Sequence, residues 1–135
     1  MTQNEKDLLL KDLCSRLPYG VKCTYYDKCI DEQCTGTITG MQNGTYFAID
    51  GGCIDVENVK PYLFPLSSMT DEQEKELSKL GVSYGEYALH DDTRGLGIMV
   101  VDTYIFFEFC YKHHIDFLGL IDMGLAIDCT NLNIY

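Results

Sequence analysis

The chain has little positive charge. Lysine and arginine number 10 against 21 aspartates and glutamates, so the formal net charge is −11. Only two of the cations are arginines, Arg16 and Arg94. This balance would repel a phosphate backbone, which argues against direct binding of nucleic acid. It favours partners that carry a basic surface, and the scarcity of arginine argues against recognition of a phosphorylated ligand.

Long apolar runs are also missing. No stretch approaches the roughly 18 apolar residues that a membrane-spanning helix needs. The N-terminal residues "MTQNEKDLLL" lack the basic start and the following apolar stretch of a signal peptide. These absences predict a cytoplasmic protein with no membrane partner.

Cysteine is present in an odd number, seven, at irregular intervals. In a reducing cytoplasm these residues are predicted to be free thiols. Cys23, Cys53 and Cys110 have apolar or aromatic neighbours in the sequence, so we expect them to pack as small hydrophobic residues. Cys23, Cys29 and Cys34 follow the spacing C-x5-C-x4-C, whereas zinc sites usually begin with C-x2-4-C pairs. The sequence therefore predicts no cofactor and no metal.

A length of 135 residues with ordinary globular composition predicts a single α+β domain over residues 1–135. Thr2 and Glu5 form a capping box ahead of leucines spaced four apart, which predicts a helix over 1–17. Thr70 and Gln73 form a second box, which predicts a helix over 70–81.

Alternating apolar residues and tight turns predict antiparallel strands between these two helices. Asn43-Gly44 is a strong hairpin signal because both positions of such a turn need positive φ. Four short strands joined in this way predict a small twisted β-meander over 21–60, of the SH3-like barrel type. We expect the helices to cover one of its faces.

Residues 98–135 are predicted to form a buried C-terminal helix and tail. Within this region, alternate residues of 100–114 are apolar, as in a strand, but the segment is long for a strand. The helix is favoured and the strand stays open as the alternative. Such a helix is nearly apolar all round, so we expect it to be deeply packed.

The stretch "FEFCYKHHIDF" brings together residues used in catalysis and metal binding. On a helix, Cys110 and His114 would share a face and could act as a nucleophile pair or as weak metal ligands. His113 and His114 also follow Lys112 at the expected helix end, where cations stabilise the last carbonyl groups. We favour this capping role, with Asp116 bonded to a histidine, and predict no catalytic residue.

The match to G-x-S-x-G at Gly81-Val82-Ser83-Tyr84-Gly85 has the wrong context for a hydrolase. In that fold the serine follows a strand, whereas here a capped helix is predicted before it. We therefore expect a helix exit at this position.

Ten tyrosines in a small chain predict that some are exposed at a binding surface. Half-buried aromatic residues in the sheet and loops are the alternative. Acidic and imidazole side chains complete the candidate surface. The predicted binding residues are Tyr25, Tyr26, Tyr84, Tyr87, Asp91, Asp92, His113 and His114.

Three stretches resemble a known group of proteins. They are "LLLKDLCSRLPYGVKC", "VKPYLFPLSSMTDEQEKEL" and "HHIDFLGLIDMGLAID", and they cover about half of the chain. The chain resembles small uncharacterised proteins of Bacteroides-type gut bacteria, often carried by prophages and other mobile elements. The resemblance implies a genomic setting in a bacterial host cell, and it implies no catalytic residue.

Together these observations predict a non-catalytic accessory protein of a phage or mobile element. It would act by stoichiometric binding to a host protein with a basic or aromatic-accepting surface, for instance as an inhibitor of host defence. The main alternative is a protein that binds or sequesters a small ligand such as a nucleotide signal. A small hydrolase or thiol enzyme is disfavoured, and homo-oligomerisation stays open.

Overall fold

The computed structural model describes residues 1–81 and 100–135, and within them the fold combines helices with a seven-stranded sheet. The α+β prediction is confirmed. The helices are α1 (Gln3–Arg16), α2 (Asp71–Lys79) and α3 (Val100–Lys112). The strands are β1 (Lys22–Asp27), β2 (Glu32–Gln42), β3 (Tyr46–Ile49), β4 (Gly52–Asp55), β5 (Val59–Pro65), β6 (Ile115–Asp116) and β7 (Ile127–Asp128).

The predicted capping boxes begin α1 and α2. The Thr2 hydroxyl accepts from the Glu5 amide at 3.2 Å, and Glu5 accepts in return from the Thr2 amide at 2.6 Å. Thr70 and Gln73 exchange the same pair of bonds at α2. These local bonds satisfy amides that have no partner within the helix, so the sequence signal is sufficient to place both helix starts.

The strands follow the order β4-β3-β2-β1-β5-β6, and β7 also pairs with β5. β1 to β4 form the predicted antiparallel meander. β6 and β7 run parallel to β5, so the C-terminal segment extends the sheet beyond the meander. Because the sheet formed by the described residues is open, the closed SH3-like barrel is not confirmed.

The long strand β2 pairs with β1 along its first half and with β3 along its second half, and a bulge lies between Ile38 and Gly40. The absence of a side chain at Gly36 lets Ile49 and Asp50 approach β2 closely at this bend. A Cβ atom at Gly36 would overlap the Asp50 carboxylate and would lie 2.7 Å from Ile49 Cγ2. The Tyr25 hydroxyl donates to Asp50 Oδ2 at 3.1 Å across the same corner.

Two groups of buried side chains form the core. The larger one lies between the sheet and α1, and includes Leu9, Leu13, Phe47 and Leu63. The smaller one joins α2 to α3 and β6. Its members are Leu77, Phe106, Phe109, Cys110 and Ile115.

Cys23 and Cys110 are buried as predicted, but Cys53 is exposed because β4 is the edge strand of the sheet.

A buried ion pair connects α1 to the C-terminal segment. Arg16 and Asp12 are 0% and 1% exposed, and two hydrogen bonds of 2.7 and 2.9 Å join them. Arg16 also donates to the carbonyl oxygens of Cys110 at 3.3 Å and Ile115 at 2.9 Å. Burial raises the pKa of Asp12, and the bonds from Arg16 partly offset this effect.

The residues 100–112 form a helix, as favoured from the sequence, and the strand alternative is wrong. None of the helices within the described ranges has the length and apolar character needed to cross a membrane.

We expect Gly36→Ala to lower the free energy of unfolding by about 1 to 3 kcal/mol, because the new methyl group overlaps the Asp50 and Ile49 side chains. Urea denaturation measures the change. Gly40→Ala is the matched control on the same strand, since its Cβ would meet only Ala48 Cβ at 4.0 Å. Equal stability of the two variants would contradict the proposed steric role of Gly36.

We expect Arg16→Met to destabilise the fold by about 3 to 5 kcal/mol, since it leaves the Asp12 carboxylate buried without its partner. The double variant Asp12→Leu, Arg16→Met should be more stable than Arg16→Met alone, because it removes the uncompensated charge as well. Denaturant midpoints give the comparison. A double variant no more stable than the single one would show that the bonds to Cys110 and Ile115 account for the loss.

Candidate protein-interaction surface

The helix α3 has two apolar sides. Phe106, Phe109 and Cys110 pack against Leu77 of α2 in the smaller core. The opposite side carries Tyr104 and Phe107, which are 68% and 37% exposed. The sequence predicted that this helix would be deeply packed. Instead, one aromatic side lies at the surface.

Three of these aromatic residues share a helical face because they are spaced i, i+3 and i+7: Tyr104, Phe107 and the half-buried Tyr111. Phe117, which follows β6, turns back onto this face. Its ring stacks on Phe107 with the centroids 4.5 Å apart, and it meets Tyr111 edge-on at 5.3 Å. We call Tyr104, Phe107, Tyr111 and Phe117 the aromatic face.

The buried arginine supports the aromatic face from within. The guanidinium carbon of Arg16 lies 5.2 Å from the centroid of the Tyr111 ring. The same side chain bonds to the carbonyl oxygens on both sides of the turn that ends α3, at Cys110 and Ile115. The bonds made by Arg16 therefore help to position Tyr111 and Phe117 relative to each other.

One carboxylate lies among the aromatic rings. Glu108 is exposed on α3, four residues after Tyr104 and three before Tyr111. The Tyr19 hydroxyl donates to Glu108 Oε1 at 3.4 Å. The aromatic face thus combines ring surfaces with a single negative charge.

Lys112 and His113, at the end of α3, face another carboxylate, that of Glu76. Lys112 Nζ lies 3.3 Å from Glu76 Oε1, and His113 Nε2 lies 3.1 Å from Glu76 Oε2, at an angle that is poor for a hydrogen bond. Burial alone would raise the pKa of Glu76, but its contacts with His113 and Lys112 outweigh this effect and lower it. Lys112 therefore forms an ion pair with Glu76, and the His113 ring lies beside the same carboxylate.

His114 lies in the turn after α3 and has the left-handed conformation, with φ 58°. Its ring stacks on Tyr135, with the centroids 3.8 Å apart and the planes at 10°. Burial lowers the pKa of His114 to about 4, and the nearby charges of Arg16, His113 and Lys22 act in the same direction. His114 is therefore neutral near pH 7, and the prediction that it caps the helix as a cation is wrong.

Asp116 was expected to bond a histidine, but it accepts from the amides of Leu120 at 3.0 Å and Ile121 at 2.9 Å. It therefore orders the turn that follows the aromatic face. An aspartate can accept hydrogen bonds from successive backbone amides of a turn that follows it. The position of Asp116 four and five residues before Leu120 and Ile121 was therefore a signal in the sequence for this role.

The geometry around Cys110 does not resemble that of a reactive thiol. The side chain is fully buried, and this burial raises the pKa of the thiol to about 12. Cys110 and His114 do not share a helical face, because α3 ends at Lys112 and His114 has positive φ. In the described part of the chain, no group of three or more histidine, cysteine or acidic side chains is arranged to hold a metal ion.

Two tyrosines of the predicted binding surface, Tyr25 and Tyr26, lie among the described residues. Tyr25 is 7% exposed and bonded to Asp50, whereas the neighbouring Tyr26 is 38% exposed. Consecutive strand residues point to opposite faces of a sheet, so these two rings do not form one surface. The remaining candidates Tyr84, Tyr87, Asp91 and Asp92, together with Ser83, lie outside the described residues.

The residues of the aromatic face were missed by the sequence interpretation. The helical spacing of three of them, Tyr104, Phe107 and Tyr111, in "TYIFFEFCYK" was available as a signal. It was hidden because the other side of α3 is equally apolar, and the sequence does not tell which side the core covers.

Comparison of the chain with protein-family models, curated proteins and solved structures finds no match.

We expect the protein to lose stability as the pH falls from 6.5 toward 4. The pKa of His114 is near 6.5 in the unfolded chain and about 4 in the fold. Over this pH range the unfolded chain therefore binds the proton more readily than the folded protein does. Above pH 6.5 the neutral His114 makes its full contribution to the free energy of unfolding. It amounts to about 2 kcal/mol once the partial exposure of the ring is allowed for.

The variants His114→Phe, which keeps a ring for stacking, and His114→Asn, which tolerates positive φ, should both show a shallower loss over this range. Urea denaturation at a series of pH values measures the slopes. An unchanged slope in both variants would mean that other groups cause the pH dependence.

Proposed function

We propose that this protein is a non-catalytic binding protein that forms a stoichiometric complex with a host protein through the aromatic face. The exposure of Tyr104 and Phe107 on a helix whose other side is already in the core is the observation that carries the proposal. Tyrosine and phenylalanine are enriched at protein interfaces, and aromatic anchors supply much of their binding energy.

A helix that is apolar on both sides is ordinarily buried on both sides. Phe117 joins two rings of this face, since it stacks on Phe107 and touches Tyr111. Tyr104 lies on the same side of the helix, three residues before Phe107. They therefore form one contiguous surface rather than scattered apolar residues, and contiguous apolar surface is typical of interaction sites.

The biological setting in the proposal comes from the sequence resemblance to proteins of mobile elements in gut bacteria. We infer that the protein is an accessory protein of a phage or mobile element that acts in the bacterial cytoplasm, with a component of host defence as its target. Its small size and acidic charge are consistent with an inhibitor that works by occupying a basic surface.

The alternatives receive less support from the described residues. Recognition of a nucleotide's phosphate groups depends strongly on arginine, and of the two arginines in the chain Arg16 is fully buried and bonded within the fold, while Arg94 lies outside the described residues. A thiol enzyme needs a nucleophile that ionises near neutral pH, whereas the pKa of Cys110 is raised to about 12.

Gentle co-purification from bacteria that carry the gene, followed by native mass spectrometry, tests the proposal. We expect a complex with one host protein in a defined ratio, and we expect Tyr104→Ala with Phe107→Ala to weaken it by about 30-fold, as for two interface anchors. Ile30→Ala with Tyr46→Ala is the matched control, because these exposed apolar residues lie in the β1–β2 turn and at the start of β3, away from α3.

The control variant should retain the complex, and circular dichroism should show that both double variants are folded. Recovery of the bare chain alone from host cells would overturn the proposed function. A complex that both double variants retain equally would place the binding site elsewhere on the protein.

A further inference from the structure

We propose that the aromatic face binds a protein segment that presents an arginine between apolar side chains. This inference rests on the proposed function and names the chemistry of the partner. Its basis is the position of Glu108 among exposed rings, together with the charge of the surrounding protein.

The spacing on α3 suits a guanidinium group. Tyr104, Glu108 and Tyr111 are related by four and three residues, so they lie on one side of the helix with Phe107 beside them. A planar guanidinium can lie over an aromatic ring and donate two parallel hydrogen bonds to a carboxylate at the same time. Lysine would pair with the carboxylate as a point charge but would cover the rings less well.

The carboxylate of Glu108 is available for such a contact. Its contact in the described structure is the long hydrogen bond of 3.4 Å from the Tyr19 hydroxyl. The cation one turn further along α3, Lys112, is paired with Glu76. An arriving arginine would therefore meet a carboxylate that is not already neutralised by a lysine of its own helix.

The fold contains the same combination of groups on the inner side of α3. Arg16 forms two hydrogen bonds with the carboxylate of Asp12 while its guanidinium carbon lies 5.2 Å from the Tyr111 ring centroid. The contact on the inner side occupies Tyr111, so Tyr104 and Phe107 are the rings left open to a partner. These are the two most exposed rings of the aromatic face.

The overall charge favours a cationic partner over a second copy of this chain. Two copies would bring together surfaces of chains that each carry −11, and a symmetric contact would place one Glu108 close to the other. The first turn of α2, whose helix packs on α3, adds Asp71, Glu72 and Glu74 to the negative field. A basic segment would be attracted by the same field.

Three peptides of identical length test the inference, with leucines at helical spacing and either arginine, lysine or citrulline at the flanking positions. Citrulline keeps the planar shape of arginine but lacks its charge. Fluorescence anisotropy at about 0.15 M salt, where exposed charges are screened beyond ~8 Å, gives the affinities. We expect the arginine peptide to bind about tenfold more tightly than the citrulline peptide, with the lysine peptide between them.

Glu108→Gln should remove most of the preference for arginine over citrulline, because it removes the negative charge that attracts the guanidinium group of arginine. Glu32→Gln, at an exposed glutamate of β2, makes the same change of charge elsewhere and should leave the preference intact. Tyr104→Ala with Phe107→Ala should weaken all three peptides, since the rings contact the apolar part as well.

Several outcomes would overturn the inference. These are absence of binding by every peptide, equal affinity for arginine and citrulline, and equal effects of the Glu108 and Glu32 variants. A dimer in sedimentation that dissociates on Phe107→Ala would show that a second copy covers the face. Protection of Tyr104 from a soluble paramagnetic probe in the monomer would show that another part of the chain does.

The proposed function is judged separately, by the host complex in co-purification. A host complex that depends on Tyr104 and Phe107, combined with no arginine preference among the peptides, would leave the proposed function standing and remove only the partner chemistry.

Discussion

The buried ion pair between Arg16 and Asp12 is the interaction on which the arrangement of the C-terminal half depends. It brings a charge of α1 to the end of α3, where Arg16 donates to the carbonyl groups of Cys110 and Ile115. An arginine placed there without its carboxylate or its carbonyl partners would cost several kcal/mol. The pair therefore favours one particular placement of α3 against α1, and it positions the rings that reach the surface beyond it.

The aromatic face follows from this placement. Phe106 and Phe109 occupy the core between α2 and α3, which leaves Phe107 and Tyr104 on the outer side. The rings are held by neighbours, since Phe117 stacks on Phe107 and Arg16 lies under Tyr111. A surface that is already ordered loses little conformational entropy when a partner binds, which makes it suitable for an inhibitor that acts by occupancy.

The features that sequence reasoning located correctly are local ones. The capping boxes at Thr2 and Thr70 need only residues three positions apart, and the turn at Asn43-Gly44 needs only two residues that adopt positive φ. The open sheet and the neutral His114 were not predicted. They depend on where residues 115–135 run, because β6, β7 and the Tyr135 ring come from that segment.

The sequence by itself determined the helix starts, the meander, the acidic character and the apolar composition of α3, because each depends on neighbouring residues or on sums over the chain. The tertiary structure decided which side of α3 is buried, that Cys110 is an inert thiol and that Arg16 is unavailable to a ligand. Burial and the local dielectric come from residues distant in sequence. Arg16 meets Cys110 and Ile115 across more than 90 positions, and no local pattern encodes that contact.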